Sequence, residues 1–300
     1  MSSATPLVIE AAINGATMPA TQPHVPRTVA EIVADAIACF AAGAAIVHHH
    51  TDDGLLVGRH ATAPYREAWT AITRAVPDAI LYPTMGGGGA HTSIGERYAH
   101  VEELADEGLL RLALVDPGSV SLGPLDGDGL PMAIDLVYQN TFADARYMFD
   151  ACNARRLAAH VSIFEPGFLR VALAYHARGR LPPAKIQLYF GGASLPFGLP
   201  PTAAGLDAYL AMLADTGLPW MVGVIGGDVS ETLAALAIAR GGHVRVGLED
   251  YVGAERPRNA ELVRAIVAMA ERQGRRVATP AEAAEILRVP AYPSTLRARR

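Results

Sequence analysis

A closed barrel of eight alternating strand and helix units is the fold class this sequence predicts, and three observations lead to it. Short runs rich in β-branched and apolar residues recur along all 300 residues, with a helix-type pattern after each. The alternation is strict, which implies a parallel sheet joined by right-handed crossovers. Eight such units in a chain of this length fit a (β/α)8 TIM barrel better than an open doubly wound sheet. No composition shift or Ser/Pro linker divides the chain, so one domain over residues 1–300 is expected.

The strands are predicted at 7–13, 44–47, 79–83, 110–115, 158–164, 185–190, 219–224 and 243–246. The helices are predicted at 28–41, 64–75, 94–107, 142–155, 166–177, 203–215, 230–239 and 259–272. The first helix carries its own boundaries: Thr28 stands three residues before Glu31 as a capping box, and Gly43 supplies the stop. Residues 119–140 read as an insertion after the fourth strand, expected to be a hairpin turning at Asp126-Gly127-Asp128-Gly129. An extra C-terminal helix at 281–287 follows Thr279-Pro280.

With 51% hydrophobic and 18% charged residues, the composition is that of a chain with a large buried core. Net charge is -5, and the only basic cluster is Arg297, Arg299 and Arg300 at the end, which argues against a nucleic-acid partner. Cys39 and Cys152 lie in helix-like segments without metal-ligand spacing, so no disulfide framework is expected. Residues 1–9 lack the pattern of a signal peptide, and the longest apolar run, 36–47, is too short to span a bilayer. A cytoplasmic protein without a membrane partner is expected.

In such barrels, chemistry sits where strands end and the following loops begin. Unusual residues collect at those positions: Asn14-Gly15, His48 and His50, Thr84 through Gly89, Asp116 through Ser119, Glu165, Gly191-Gly192, Gly226 through Asp228, and Gly247 through Asp250. Side chains alternate along a strand, so His48 and His50 face one way and His49 the other. Two imidazoles on one face make half of a divalent-metal site; the bland reading is a capped strand end, or an oxygen-liganded turn at Asp52 and Asp53. On the last strand, Arg245, Gly247 and Glu249 share a face. A buried arginine there needs a partner, and Asp250 or Glu249 is available. That pair is either a structural bridge at the barrel seam or part of a site. The first, second and eighth strands are neighbours in a closed barrel, so Glu249 can complete a two-His, one-carboxylate set with His48 and His50. The run Gly86–89 either brings backbone amides close to an anion or is simply a flexible loop. Thr84 and Ser119 at adjacent strand ends offer hydroxyls to a carboxylate.

The chain resembles the β-keto acid cleavage enzymes, typified by 3-keto-5-aminohexanoate cleavage enzyme. The resemblance runs through Ala11-Ala12-Ile13-Asn14-Gly15-Ala16, Ala42-Gly43-Ala44 to His48-x-His50, and Thr84-Met85-Gly86-Gly87. It continues through Gly242-His243-Val244-Arg245-Val246-Gly247-Leu248-Glu249-Asp250 and Val277 to Ala283. It implies a (β/α)8 barrel with a divalent metal, usually zinc, and acetyl-CoA as co-substrate. The implied products are acetoacetate and a new CoA thioester, and the implied assembly is a homotetramer. By the same resemblance His48, His50 and Glu249 match the metal ligands, and Asp250 and Arg245 match the base and the arginine that orients it. Thr84, the amide of Gly87 and Ser119 match carboxylate-binding positions, with Asn14 and Thr17 as further substrate contacts. The arginine is expected to lower the pKa of Asp250 and keep it ionised. Two departures stand out. Thr17 replaces a glutamate that holds the substrate's amino group, and Ser162, with Glu165 nearby, replaces an acidic residue on the fifth strand. A β-keto acid without a cationic amine at that end is the expected substrate. The rival readings are a metal-dependent hydrolase or lyase on the same barrel, and a non-catalytic barrel that binds a metal or ligand.

Overall fold

The architecture comes from a computed structural model that describes residues 5–51, 58–86 and 92–293. Its strands are β1 (Ile9–Ala12), β2 (Ile46–His49), β3 (Ile80–Pro83), β4 (Leu112–Val115), β5 (Val120–Ser121), β6 (Val137–Tyr138), β7 (Ala158–Ile163), β8 (Ala184–Gly191), β9 (Trp220–Ile225) and β10 (His243–Val246). The helices are α1 (Val29–Ala42), α2 (Thr62–Ala75), α3 (Ile94–Asp106), α4 (Phe142–Arg155), α5 (Pro166–Ala177), α6 (Ala203–Leu213), α7 (Ala234–Ala239), α8 (Asn259–Arg272) and α9 (Pro280–Leu287).

Eight of the strands form one parallel sheet in the order β3-β2-β1-β10-β9-β8-β7-β4. β3 packs beside β4, so the sheet curls into a nearly closed barrel. The expected adjacency of the first, second and last barrel strands is met, with Glu10 in register with both Ile46 and Arg245. The insertion is also a hairpin: β5 pairs antiparallel with β6. The Asp126 carboxylate accepts from the amides of Asp128 (2.9 Å) and Leu130 (3.0 Å), and this local bonding shapes the turn.

Local chemistry accounts for the element boundaries. Thr28 accepts from the Glu31 amide at 3.2 Å while the Glu31 carboxylate accepts from the Thr28 amide at 2.9 Å, completing the capping box on α1. β2 runs two residues past the predicted end because His48 and His49 pair with Tyr82 and Pro83 of β3. α7 starts four residues later than expected. Ser230 bonds Asp228 through both its amide (2.7 Å) and its hydroxyl (2.6 Å), and Thr232 bonds the Asp228 carbonyl, which favours turns over helix.

The barrel interior is polar where aliphatic layers are usual. Glu10, Tyr82, His160, Lys185, Gln187 and Arg245 all point inward and are at most 2% exposed. Glu10 accepts from Lys185, from Tyr82 Oη (2.6 Å) and from Arg245 Nη1 (3.2 Å), and Lys185 also reaches Gln187 Oε1 (3.1 Å). A buried charge has to be paired in this way. Burial works to raise the Glu10 pKa, but the Lys185 and Arg245 cations prevail and hold it below the usual range. Burial lowers Lys185 to about 8, against the pull of Glu10.

Candidate active site

His48 and His50 stand at the end of β2 with their Nε2 atoms turned toward Glu249. The separations are 3.3 Å from His48 Nε2 to Glu249 Oε2 and 3.4 Å from His50 Nε2 to Glu249 Oε1. The three donor atoms lie within 4.8 Å of one another. His49 faces the other way, where its Nε2 accepts from Trp69 Nε1 at 2.8 Å. The period-two expectation therefore holds across all three imidazoles.

Each donor is held by backbone geometry. His48 Nδ1 contacts the Tyr82 carbonyl at 3.2 Å, which leaves Nε2 with its lone pair outward, and the ring stacks on Tyr82 at 4.4 Å. Asn14 accepts from the His50 amide (2.8 Å) and donates to the His50 carbonyl (3.2 Å), extending the β1–β2 ladder past the strand ends. The same side chain also serves Gly15 and Pro26, so Asn14 is committed to positioning His50 and leaves no free group for a substrate. Glu249 lies beyond β10 in a turn, its amide bonded to the Ala12 carbonyl at 3.1 Å. Two glycines make that approach possible. A Cβ on Gly247 would sit 2.0 Å from the Ala12 carbonyl, and one on Gly15 would sit 2.3 Å from Glu249 Cγ.

Arg245 organises the carboxylates. It donates to Asp250 through Nε (2.7 Å) and Nη2 (2.9 Å), lies 3.1 Å from Glu249 Oε1, and turns Nη1 toward Glu10 and Tyr82. Both partners expected for the arginine are present, together with Glu10, which the sequence reading did not single out. Burial alone would raise the Glu249 pKa, but His48, Arg245 and His50 together hold it well below the usual carboxylate range. Asp250 goes the other way, which corrects the expectation of a lowered pKa. Burial outweighs the arginine and raises it to about 6, making it a stronger base than its partner alone would allow.

The donor set suits a divalent cation. Burial pushes His48 toward its neutral, ligating form, and Glu249 Oε2, buried, has no hydrogen-bond partner among the described residues. Two imidazoles and a carboxylate leave coordination positions open, as catalytic zinc sites do.

The expected substrate contacts separate. Thr84 keeps a hydroxyl without a hydrogen-bond partner among the described residues, while its amide donates to Tyr65 Oη at 3.1 Å. Ser119 is spent on the hairpin base: its hydroxyl donates to the Asn140 carbonyl (2.9 Å) and accepts from the Asn140 amide (3.0 Å). Thr17 donates to the Leu248 carbonyl at 2.7 Å and lines a cavity of about 510 Å³ that reaches Glu249. Gly87, Asp52 and Asp53 lie outside the described residues. Glu165 accepts from the Gly198 amide at 2.9 Å, and the buried Asp116, near Ser162, accepts from the hydroxyl of Tyr138 in the hairpin.

Sequence reasoning singled out none of Glu10, Tyr82, Lys185 and His160. His160 is fully buried inside the barrel, 3.8 Å from Glu10, and burial holds it well below its ordinary pKa. The signal available was parity. Glu10 interrupts an apolar strand, and Lys185 and Gln187 alternate along another, so all three had to point into the barrel.

A family model described as beta-keto acid cleavage enzyme matches residues 6–289. A 3-keto-5-aminohexanoate cleavage enzyme from Fusobacterium nucleatum subsp. nucleatum is 32% identical over 289 residues, covering 94% of this chain and 97% of that protein. A 3,5-dioxohexanoate:acetyl-CoA acetone transferase from Paraburkholderia graminis is 30% identical over 317 residues, covering 96% and 97%. Among solved structures, a ternary complex of ObcA with a C4-CoA adduct and oxalate superposes with a TM-score of 0.66 at 19% identity, covering 89% of this chain and 68% of that one, a likeness of fold. Barrel, site motifs and relatives agree, and the chain belongs to the beta-keto acid cleavage enzyme family.

Proposed function

We propose that this chain cleaves a β-keto acid with acetyl-CoA, giving acetoacetate and a new acyl-CoA, at a centre formed by His48, His50, Glu249, Arg245 and Asp250. The convergence of three metal-type donors on one side of Arg245, with Asp250 gripped beside them, carries this reading. Relatives named as acetyl-CoA transferases acting on dioxohexanoate and oxoadipate support it.

His48, His50 and Glu249 would hold the divalent metal, and zinc suits their nitrogen and oxygen donors. When bound, the ion supplies Lewis-acid polarisation of the keto oxygen. Asp250 then takes the proton from the carbon between the two carbonyls, and Arg245 keeps its carboxylate aimed there. The Thr84 hydroxyl, with the amide of Gly87, meets the substrate carboxylate. In the net reaction the bond between C2 and C3 breaks, C2 joins the acetyl group as acetoacetate, and the acyl fragment leaves on CoA.

Thr17 offers no negative charge to an ammonium group, which supports a substrate other than the 5-amino acid. A cytoplasmic homotetramer is the proposed form. The insertion exposes Leu130 (63%), Met132 (45%), Ile134 (43%) and Leu136 (55%), apolar surface of the kind that marks a protein contact. No helix among the described residues is long and apolar enough to cross a membrane.

The test is a coupled assay for acetoacetate over a set of β-keto acids, with metal content determined on the same sample. Turnover that needs acetyl-CoA and a bound metal is the expected result. Turnover without acetyl-CoA would favour the hydrolase reading, and none under any condition would favour a non-catalytic barrel.

A further inference from the structure

Glu249 stands on the turn that follows β10, so its place depends on what holds that turn. Side chains tie both peptide groups of the preceding residue. The Leu248 amide donates to Asn259 Oδ1 at 2.8 Å, and the Leu248 carbonyl accepts from the Thr17 hydroxyl at 2.7 Å. Leu248 is fully buried, and its amide has no water to turn to.

Asn259 is the first residue of α8 and is fully buried. Its Nδ2 donates to the Ile13 carbonyl at 2.8 Å and to the Asp35 carboxylate at 2.6 Å. The Leu248 amide can only donate, and the Ile13 carbonyl can only accept, so the orientation of the Asn259 amide is determined. Burial raises the Asp35 pKa to about 6, so at neutral pH its carboxylate is charged and draws on the Asn259 N–H. One side chain thus joins the end of β1, helix α1 and the residue before Glu249. Asn14 plays the same part for His50 across the β1–β2 seam.

From this arrangement we infer that Asn259, backed by Asp35 and joined by Thr17, is a positioning residue that fixes the Leu248 peptide and thereby aims the Glu249 carboxylate at the metal. The inference rests on the metal-centre reading above and extends it to a side chain that touches neither metal nor substrate. Without Asn259 the turn keeps its other bonds, from the Glu249 amide to Ala12 (3.1 Å) and from the Asp250 amide to Gly247 (3.1 Å). The loss therefore falls on the ligand more than on the barrel. Partners behind a ligand act in this way, by holding its donor atom where the ion needs it.

The test is zinc affinity, measured on the whole chain by competition with a chelator, beside the melting temperature of the metal-free protein. Asn259→Ala should weaken zinc binding by about 10- to 100-fold. Thr17→Val keeps the shape and removes the hydroxyl bond, and it should weaken zinc binding with little change in the metal-free melt. Exchanging the two groups, Asn259→Asp together with Asp35→Asn, retains an acceptor for Leu248 and a hydrogen bond between the two side chains. That pair should recover most of the affinity lost in Asn259→Ala. If Asn259→Ala does not fold, Thr17→Val and the exchanged pair still decide. Wild-type zinc affinity in Asn259→Ala or in Thr17→Val overturns the inference, and so does an exchanged pair that regains the melting temperature but not the affinity; either result leaves the metal centre standing. A wild-type protein that binds no zinc would sink the metal-centre reading itself, and the inference with it.

Discussion

Arg245 and Asp250 meet as a two-pronged pair, Nε to Oδ2 at 2.7 Å and Nη2 to Oδ1 at 2.9 Å, inside a barrel mouth where Asp250 is 4% exposed. The planar fork sets the carboxylate's direction, and burial leaves it basic, with a pKa raised to about 6. Asp250→Asn keeps the shape and removes the base. It should lower kcat by about 10²- to 10⁴-fold, with metal content unchanged when both are measured on one preparation.

Glu249 ties the metal donors to the same arginine. Treatment with a chelator should abolish acetoacetate formation, and zinc should restore it. Glu249→Gln should lower bound metal and turnover together, measured by elemental analysis and the coupled assay. Full activity in the stripped protein would remove the metal from this account.

Gly15 is where backbone conformation and site geometry meet. Its φ is +53°, and any side chain would collide with Glu249. Gly15→Ala should cost about 1–3 kcal/mol of stability through backbone strain, and it should weaken metal binding by displacing Glu249. Thermal melts with and without metal would separate the two effects, since the variant should gain less from added metal than the wild type.

Glu10 holds two buried cations, Lys185 and Arg245. Arg245 keeps Asp250 and Glu249, but Glu10→Gln leaves Lys185 without a counter-charge and should destabilise the fold by about 3–5 kcal/mol, read by denaturant unfolding. Adding Lys185→Met to that variant should recover much of the loss, because the orphaned charge goes with it. A double variant no more stable than the single one would show that the ion pair is not what Glu10 supports.

His243 supplies a pH dependence with a definite sign. Its Nδ1 accepts from the Val8 amide at 3.0 Å, and burial, followed by the Arg275 and Lys185 cations, pushes its pKa to about 3 from an ordinary 6.5. Between those values the unfolded chain binds a proton that the folded chain refuses, so stability is complete above pH 6.5 and falls as pH drops toward 3. The slope from one such group is about 1.4 kcal/mol per pH unit. His243→Asn, which keeps an acceptor but cannot titrate, should show a shallower loss of melting temperature between pH 6.5 and 5.

Much of this protein was legible before any coordinates. Strict strand–helix alternation, the capping box at Thr28 and Glu31, and the left-handed stop at Gly43 are local signals, and local signals survive in a linear string. The facing of His48 and His50 follows from strand periodicity alone. That Glu249 would reach them followed from barrel closure, since the last strand must lie against the first.

What only the folded chain decided is where each side chain's hydrogen bonds and charges went. Asn14 and Ser119 have the residue types of substrate contacts, yet neighbouring backbone has already claimed both. The pKa of Asp250 turned on the balance between burial and Arg245, and burial is a property of packing. Glu10, Lys185 and His160 come from strands far apart in sequence and meet only inside the closed cylinder. Secondary structure is written in short-range sterics and periodicity, whereas a site's electrostatics depends on distances across the fold and on how much water is excluded.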